Sequence, residues 1–182
     1  MLSLGERTLF EQVYERVGSV AKEVVIAVRS ERQKETYSRL VRNCSFSLDE
    51  SSRAGPLSGL WSGLKRVTGK KVAVVGCDMP FVSPELMRLL YELSRKYDAA
   101  IPRWPSGYLE PLHSVYDVGN CRVATHEALR RGRSDMRAMI SALSRILYVS
   151  TEAIRKLDSD LRMFTNINTH SDLLRAKRAL SS

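Results

Sequence analysis

A layered α/β domain with a mostly parallel sheet flanked by helices is the fold this sequence predicts, on three observations. Short apolar, β-branched runs alternate with segments of helical periodicity along the 182-residue chain. Two of those runs read as strands: EVVIAV ending at Val28, of the sort buried on both faces, and KVAVVG from Lys71 to Gly76. No internal repeat and no long linker interrupts the alternation, so residues 1–182 are expected to form a single domain.

Taken in order, Thr8 to Val20 places Leu9, Phe10, Val13, Val17 and Val20 at helical spacing. The strand Val24–Val28 follows, then a polar helix from Glu31 to Val41 and a short strand, Cys44–Leu48. A turn-rich stretch, DESSRAGPLSGL, leads into a helix from Pro56 to Val67, where proline suits the first turn because its missing N–H would be unpaired anyway. KVAVVG is the strongest strand pattern. It ends in CDMPF, and SPEL opens a helix reaching Lys96, with Ser83 as N-cap and Pro84 as the first helical residue. Strands are expected at Asp98–Ile101 and Leu112–Tyr116, with RWPSGYLE (Arg103 to Glu110) looping over one edge of the sheet. Helices at Gly119–Arg131 and Ser134–Ser144, a strand at Arg145–Val149 and a short helix at Thr151–Lys156 come next. After FTNINT, the last helix runs from Ser171 to Leu180.

Composition limits the function classes. Apolar residues make up 43% and charged residues 27%, and no run approaches the roughly 18 apolar residues of a spanning helix, so no membrane role is expected. The start, MLSLGERTLFEQ, is acidic and lacks an apolar run, so no secretory signal is read there and a cytoplasmic protein is expected. Cys44, Cys77 and Cys121 show no metal-ligand or disulfide spacing and read as small buried hydrophobes. A net charge of +9 favours anionic partners. The basic residues are dispersed apart from runs at Lys65–Lys71 and Arg130–Arg137, and with no helix-turn-helix, stacking motif or basic tail a nucleic-acid partner is not expected.

Four places could carry chemistry. In open sheets ligands bind beyond the carboxyl ends of strands, and Asp78 emerges from the tip of KVAVVG. A carboxylate there suits a magnesium ion held against a triphosphate; the alternative is a cap of the following turn. In AGPLSGLWSGL, Gly55, Gly59 and Gly63 share a helical face, for close approach to a ligand or to the sheet. In FTNINT, Asn166 and Asn168 point the same way in an extended segment and could meet a metal or phosphate, or cap the last helix. His113 stands beside a strand without a nucleophile motif, which leaves a catalytic triad unsupported.

The order AGPLSGL, VVGCDMPF, EPLHSVY, FTNINTHSDL resembles the molybdenum cofactor guanylyltransferase family over nearly the whole chain, with GPLSGL and CDMPF the most specific pieces. The resemblance implies a Rossmann-like nucleotidyltransferase fold and transfer of GMP from GTP to the terminal phosphate of molybdopterin, with release of pyrophosphate. Carried over by position, Asp78 would bind magnesium and contact the nucleotide, and Asn168, with Asn166, would lie near the metal and the transferred phosphate. Asp49 would lie near guanine and ribose, Gly55, Pro56 and Leu57 would line the base pocket, and Glu110 and His113 would face the acceptor. Partners implied are GTP, the molybdopterin cofactor, and other molybdenum cofactor proteins or apoenzymes.

The family pattern also opens with a strand and a loop of the form LAGGxSxRMGxxK, whose backbone N–H groups, arginine and lysine hold the triphosphate. This sequence matches the family from just after that lysine, so a central strand and about 20 residues of the pattern have no counterpart in it. Open edges on both neighbouring strands are expected, and weak or no transferase activity from the 182 residues alone. Ala27 and Arg29 stand where relatives often place an asparagine near the base. Three accounts stay open: a longer, active gene product; a shortened relative that binds without catalysis; and a sister activity, either cytidylyl transfer to molybdopterin or guanylyl transfer to another phosphorylated acceptor.

Overall fold

The computed structural model describes residues 2–49 and 55–181. Ser3–Leu4 (β1) and Arg7–Thr8 (β2) form a small hairpin that leads into Leu9–Gly18 (α1). Thr8 and Glu11 close a reciprocal capping box at the start of α1, which satisfies donors the first turn would leave unpaired. Val25–Val28 (β3), Glu31–Ser38 (α2) and Ser45–Leu48 (β4) follow, with β3 and β4 paired in parallel. Pro56–Leu64 (α3) starts on its proline, as expected, and leads to Lys71–Val75 (β5). Pro84–Leu93 (α4) begins with Ser83 accepting the Leu86 N–H and Pro84 in the first turn, as the sequence predicts. Ala99–Arg103 (β6), His113–Asp117 (β7), Val118–Arg130 (α5), Met136–Ile140 (α6), Ile146–Ser150 (β8), Thr151–Ile154 (α7) and His170–Ser181 (α8) complete the order.

The main sheet runs β5-β7-β6-β8. β7 is antiparallel to both neighbours while β6 and β8 are parallel, so β5, β6 and β8 share one direction and the sheet is mixed. The segment 104–112 corrects the expectation of a loop over a sheet edge. It joins two interior neighbours, because an antiparallel pair closes through a loop where a parallel pair needs a crossover. The helix expected over Ser134–Ser144 shortens to α6, whose last turn gives way before β8.

Successive residues of the strands enter opposite layers, as the pleat requires. Ala99, Ile101 and Tyr116 pack with Leu57, Leu60 and Leu64 of α3, Cys121 and Ala124 of α5 and Met139 of α6. Ala100 and Val115 face Leu86 and Leu90 of α4, Ile154 and Phe164 on the other side. A fully buried leucine such as Leu57 or Leu86 contributes about 2 kcal/mol by removing its side chain from water. Of the cysteines only Cys121 is buried; Cys44 is half-buried and Cys77 exposed, which corrects the reading of all three as core residues.

At the opposite end from the strand tips, the buried Asp98 holds the sheet to the α6–β8 turn. Its Oδ2 accepts the Ser144 and Arg145 N–H groups at 3.1 and 2.9 Å, and its Oδ1 accepts the Asn120 amide at 2.9 Å. Burial pushes its pKa up, but these hydrogen bonds outweigh it and hold the carboxyl below its ordinary range. Asp98→Ala removes the buried carboxylate that ties these three donors together and is expected to cost about 2 kcal/mol in urea unfolding. A loss below about 0.5 kcal/mol would show that water replaces the carboxylate there.

Among the described residues β3 pairs only with β4 and β5 only with β7, so each has one edge without a strand, as expected. The residues flanking the two strands meet at both ends. Ahead of them, the Glu23 carboxylate accepts from the Thr68 N–H and hydroxyl, each at 3.0 Å; beyond them, Arg29 lies within electrostatic reach of Cys77. Val25, Ile26, Val72 and Val74 are only half-buried, a state their β-branched side chains would leave if a strand covered those edges.

Candidate functional site

Beyond β5 the chain turns at the buried Gly76, where a larger residue would have to displace the Asp78 carboxyl. A side-chain carbon there would lie 2.5 Å from Asp78 Oδ1, because the Asp78 carboxyl folds back over the glycine. The half-buried Asp78 stands at the strand tip, as expected. Its side chain has no hydrogen-bond or ion-pair partner among the described residues, while its backbone carbonyl accepts the Ile167 N–H at 2.8 Å.

That bond joins the β5 tip to FTNINT. Ile167 is buried among Leu4, Leu9 and Leu173, which turns the alternating residues Asn166 and Asn168 outward, both exposed beside the Asp78 turn. Neither asparagine side chain caps α8. Thr169 does: its hydroxyl accepts the Asp172 N–H at 3.1 Å, and the Asp172 carboxylate accepts the Thr169 and Asn168 N–H groups at 2.9 and 3.2 Å. The Thr169 hydrogen bonds hold the Asp172 pKa down at about 2. The asparagine side-chain amides thereby make no hydrogen bond among the described residues.

Asp78 with two amide oxygens is a set of hard oxygen donors, which fits magnesium: that ion takes one or two carboxylates and fills its shell with phosphate and water oxygens. No cluster of three histidine, cysteine or acidic side chains exists among the described residues, so a site built wholly from such ligands is not formed by them.

Asp49 stands at the tip of β4, where its N–H donates to the Val28 carbonyl at 2.7 Å. Residues 50–54, which include the first residue of AGPLSGL, lie outside the described residues. Gly55 is pressed against the turn ahead of α6: a side-chain carbon on it would lie 2.8 Å from the Ser134 carbonyl oxygen. Pro56 is exposed and Leu57 fully buried, so Leu57 supports the segment from behind. Gly59 approaches the Ala27 side chain on β3, with 3.7 Å to where a side-chain carbon would sit, which is the packing alternative for that glycine.

Glu110 and His113 lie at the end of β7 next to the β5 tip; Val75 pairs with His113, and Gly76 N–H donates to the Leu112 carbonyl at 3.2 Å. The buried Glu110 carboxylate accepts the Trp104 indole N–H at 2.7 Å, and burial raises its pKa against the lowering effect of that bond. His113 is fully buried, with Phe164 edge-on at 5.2 Å between ring centroids. Neither ring nitrogen makes a hydrogen bond of good geometry among the described residues, although the Met163 backbone lies close by. Burial presses its pKa down to about 4, partly offset by the Met163 backbone.

The structure thus gathers Asp78, Asn166 and Asn168 at one turn and sets His113 beneath it. Asp49 and the Gly55–Leu57 segment stand on β4 and α3. Four contributors escape sequence reasoning: Gly76 under the carboxylate, Ile167 as tether, Trp104 as partner of Glu110, and Phe164 as the lid on His113. Of these only Gly76 leaves a trace, as a glycine abutting the strand in VVGCD.

Comparison with known proteins matches residues 1–146 to the MobA-like NTP transferase domain. The "Probable molybdenum cofactor guanylyltransferase" of Methanosarcina mazei is 35% identical over 95% of this chain and 79% of its own length. The crystal structure of molybdopterin-guanine dinucleotide biosynthesis protein A from Archaeoglobus fulgidus superposes with a TM-score of 0.84 at 30% identity, covering 99% of this chain and 89% of that one. The 2-C-methyl-D-erythritol 4-phosphate cytidylyltransferase of Thermus thermophilus shares the fold, with a TM-score of 0.70 at 18% identity over 100% of this chain and 92% of that one.

Proposed function

The chain belongs to the MobA-like NTP transferase family, and on that premise we propose that it transfers GMP from GTP to the terminal phosphate of molybdopterin, releasing pyrophosphate. What supports this most directly is the junction at the β5 tip, where a carboxylate and two amides with no hydrogen-bond partner among the described residues are brought together by the Ile167–Asp78 hydrogen bond. In the proposed reaction an oxygen of the acceptor phosphate attacks the α-phosphorus of GTP. A new P–O bond forms, the bond to the bridging oxygen of the β-phosphate breaks, and pyrophosphate leaves with its electron pair.

Asp78 and Asn168, with Asn166, would hold magnesium. Bound there, the ion would neutralise the triphosphate and draw charge from the α-phosphate oxygens as the transition state forms. Asn166 and Asn168 would also donate amide hydrogens to phosphate oxygens. Asp49, through its carboxylate, and the Gly55–Pro56–Leu57 segment, through its backbone, would receive the guanine and ribose. Glu110 would accept from acceptor N–H groups beside Trp104, and His113 would hold Phe164 in place under the acceptor. Catalysis then comes from positioning and electrostatics, with no covalent intermediate on the protein.

The test is calorimetric titration of the 182-residue polypeptide with GTP and magnesium, with CTP as control. Binding that requires magnesium and favours GTP at least about tenfold is expected. Equal binding of CTP would overturn the guanylyl assignment, and no binding by a folded chain would overturn the nucleotide site. Turnover by this polypeptide is expected below about 1 per second, because no glycine-rich N–H cradle faces Asp78 among the described residues.

A further inference from the structure

Four arginines, Arg130, Arg131, Arg133 and Arg137, fall within eight residues where α5 passes into α6. The geometry of the turn gathers them. Gly132 takes a φ of +79°, which reverses the chain after α5, and Asp135 restarts it by accepting the Ala138 N–H at 3.0 Å. Between the two helices opens a groove of about 350 Å³, with Arg131, Arg133, Arg137 and Glu127 on its walls and Ala128 and Ala138 within. Arg130 and Arg131 line an adjoining hollow of about 290 Å³.

Four guanidinium groups here meet only two carboxylates. Arg131 pairs with Glu127, and Arg133 pairs with Asp135 at 3.0 Å; Arg130 and Arg137 pair with no carboxylate among the described residues. The Arg131 and Arg133 side chains are 72% and 61% exposed, so their internal pairs are weak and open to exchange with an incoming carboxylate.

We propose that this groove docks an extended acidic segment of a partner protein. Charge complementarity selects an anion, and the internal pairs show the guanidinium groups already accommodating carboxylates. The small apolar residues within leave room for the stems of acidic side chains, which an isolated phosphate would not fill. No aromatic ring lines the groove to stack a base, which argues against single-stranded nucleic acid. The partner would stand beside α3, because Leu57 N–H donates to the Ser134 carbonyl of the same turn at 3.4 Å. The inference rests on the charge and shape of the groove and not on the nucleotide assignment.

The experiment is fluorescence anisotropy with a labelled peptide of alternating glutamate and alanine, at low salt, against a lysine–alanine control peptide. The full chain is compared with Arg131→Glu/Arg137→Glu, with the milder Arg131→Gln/Arg137→Gln, and with Arg88→Glu/Arg95→Glu, two exposed positions on α4 and the turn after it. Circular dichroism checks that each variant is folded. The acidic peptide is expected to bind, to weaken at least about tenfold in the Glu groove variant and less in the Gln variant, and to change less than about twofold in the α4 variant. No binding, equal losses in the two charge-reversed variants, or no loss in either would overturn the proposal. So would displacement of the peptide by a single-stranded oligonucleotide or inorganic phosphate at lower concentration than by unlabelled peptide.

Discussion

Replacing Asp78 with asparagine is expected to weaken magnesium-dependent GTP binding on the order of 100-fold, about 3 kcal/mol, while the thermal midpoint moves by no more than about 2 °C. The two halves of this expectation have separate causes. Asparagine has the shape of aspartate and still folds over Gly76, and the bond that ties this turn to the rest of the chain uses the Asp78 backbone carbonyl, which the substitution leaves in place. The carboxylate accepts no hydrogen bond among the described residues, so no donor is orphaned. The negative charge is what disappears, and a neutral amide oxygen cannot replace it as a ligand to a dication held against a triphosphate. Calorimetry with magnesium and with a chelator separates the outcomes. If both proteins bound GTP alike with magnesium, Asp78 would be a turn residue; if the variant melted far lower, its carboxylate would be structural.

How much of this was legible in the sequence depends on whether the deciding interaction is local. The N-cap at Ser83, the proline starts of α3 and α4 and the strand at Lys71–Val75 rest on neighbours in the chain, and they stand where the residues predict them. The place of Asp78 follows from strand and turn alone. The direction of β7 does not: HSVYD would suit either orientation, and only its pairing with β5 and β6 decides. The β1–β2 hairpin has strands of two residues, too short for any periodicity to register. FTNINT was ambiguous between a ligand site and a helix cap. The helix cap is taken by Thr169 rather than by an asparagine side chain, and Ile167 reaches a core formed from both ends of the chain, which sets how the asparagines face. Trp104 meeting Glu110 across the β6–β7 loop, and the groove between α5 and α6, are consequences of packing that spacing alone does not carry.

Lowering the pH from neutral to about 4 is expected to remove about 3 kcal/mol of stability through His113 alone. The imidazole is fully buried with no hydrogen bond of good geometry on either nitrogen among the described residues, and burial, partly offset by the Met163 backbone, takes its pKa from 6.5 to about 4. The folded state therefore prefers the neutral ring. Above 6.5 neither state binds the proton, so stability is at its full value. Between 6.5 and 4 the unfolded chain binds it more readily, so stability falls with pH, and below about 4 the loss is complete. Glu110 works the other way. Its raised pKa contributes stability at low pH that is lost as pH climbs above the unfolded value of 4.5. Comparing the chain with His113→Gln cancels Glu110 and the other carboxylates, because only the histidine differs. Urea unfolding followed by fluorescence of Trp61 and Trp104 should give a stability difference that changes by about 3 kcal/mol between about pH 7 and pH 4. A difference curve that stays flat would mean that the imidazole is solvated and protonates freely in the folded state. The point bears on mechanism. An imidazole kept neutral near pH 7 carries no charge with which to meet an acceptor phosphate, so in the proposed transfer His113 would act by packing against Phe164 and through a neutral N–H rather than as a cation.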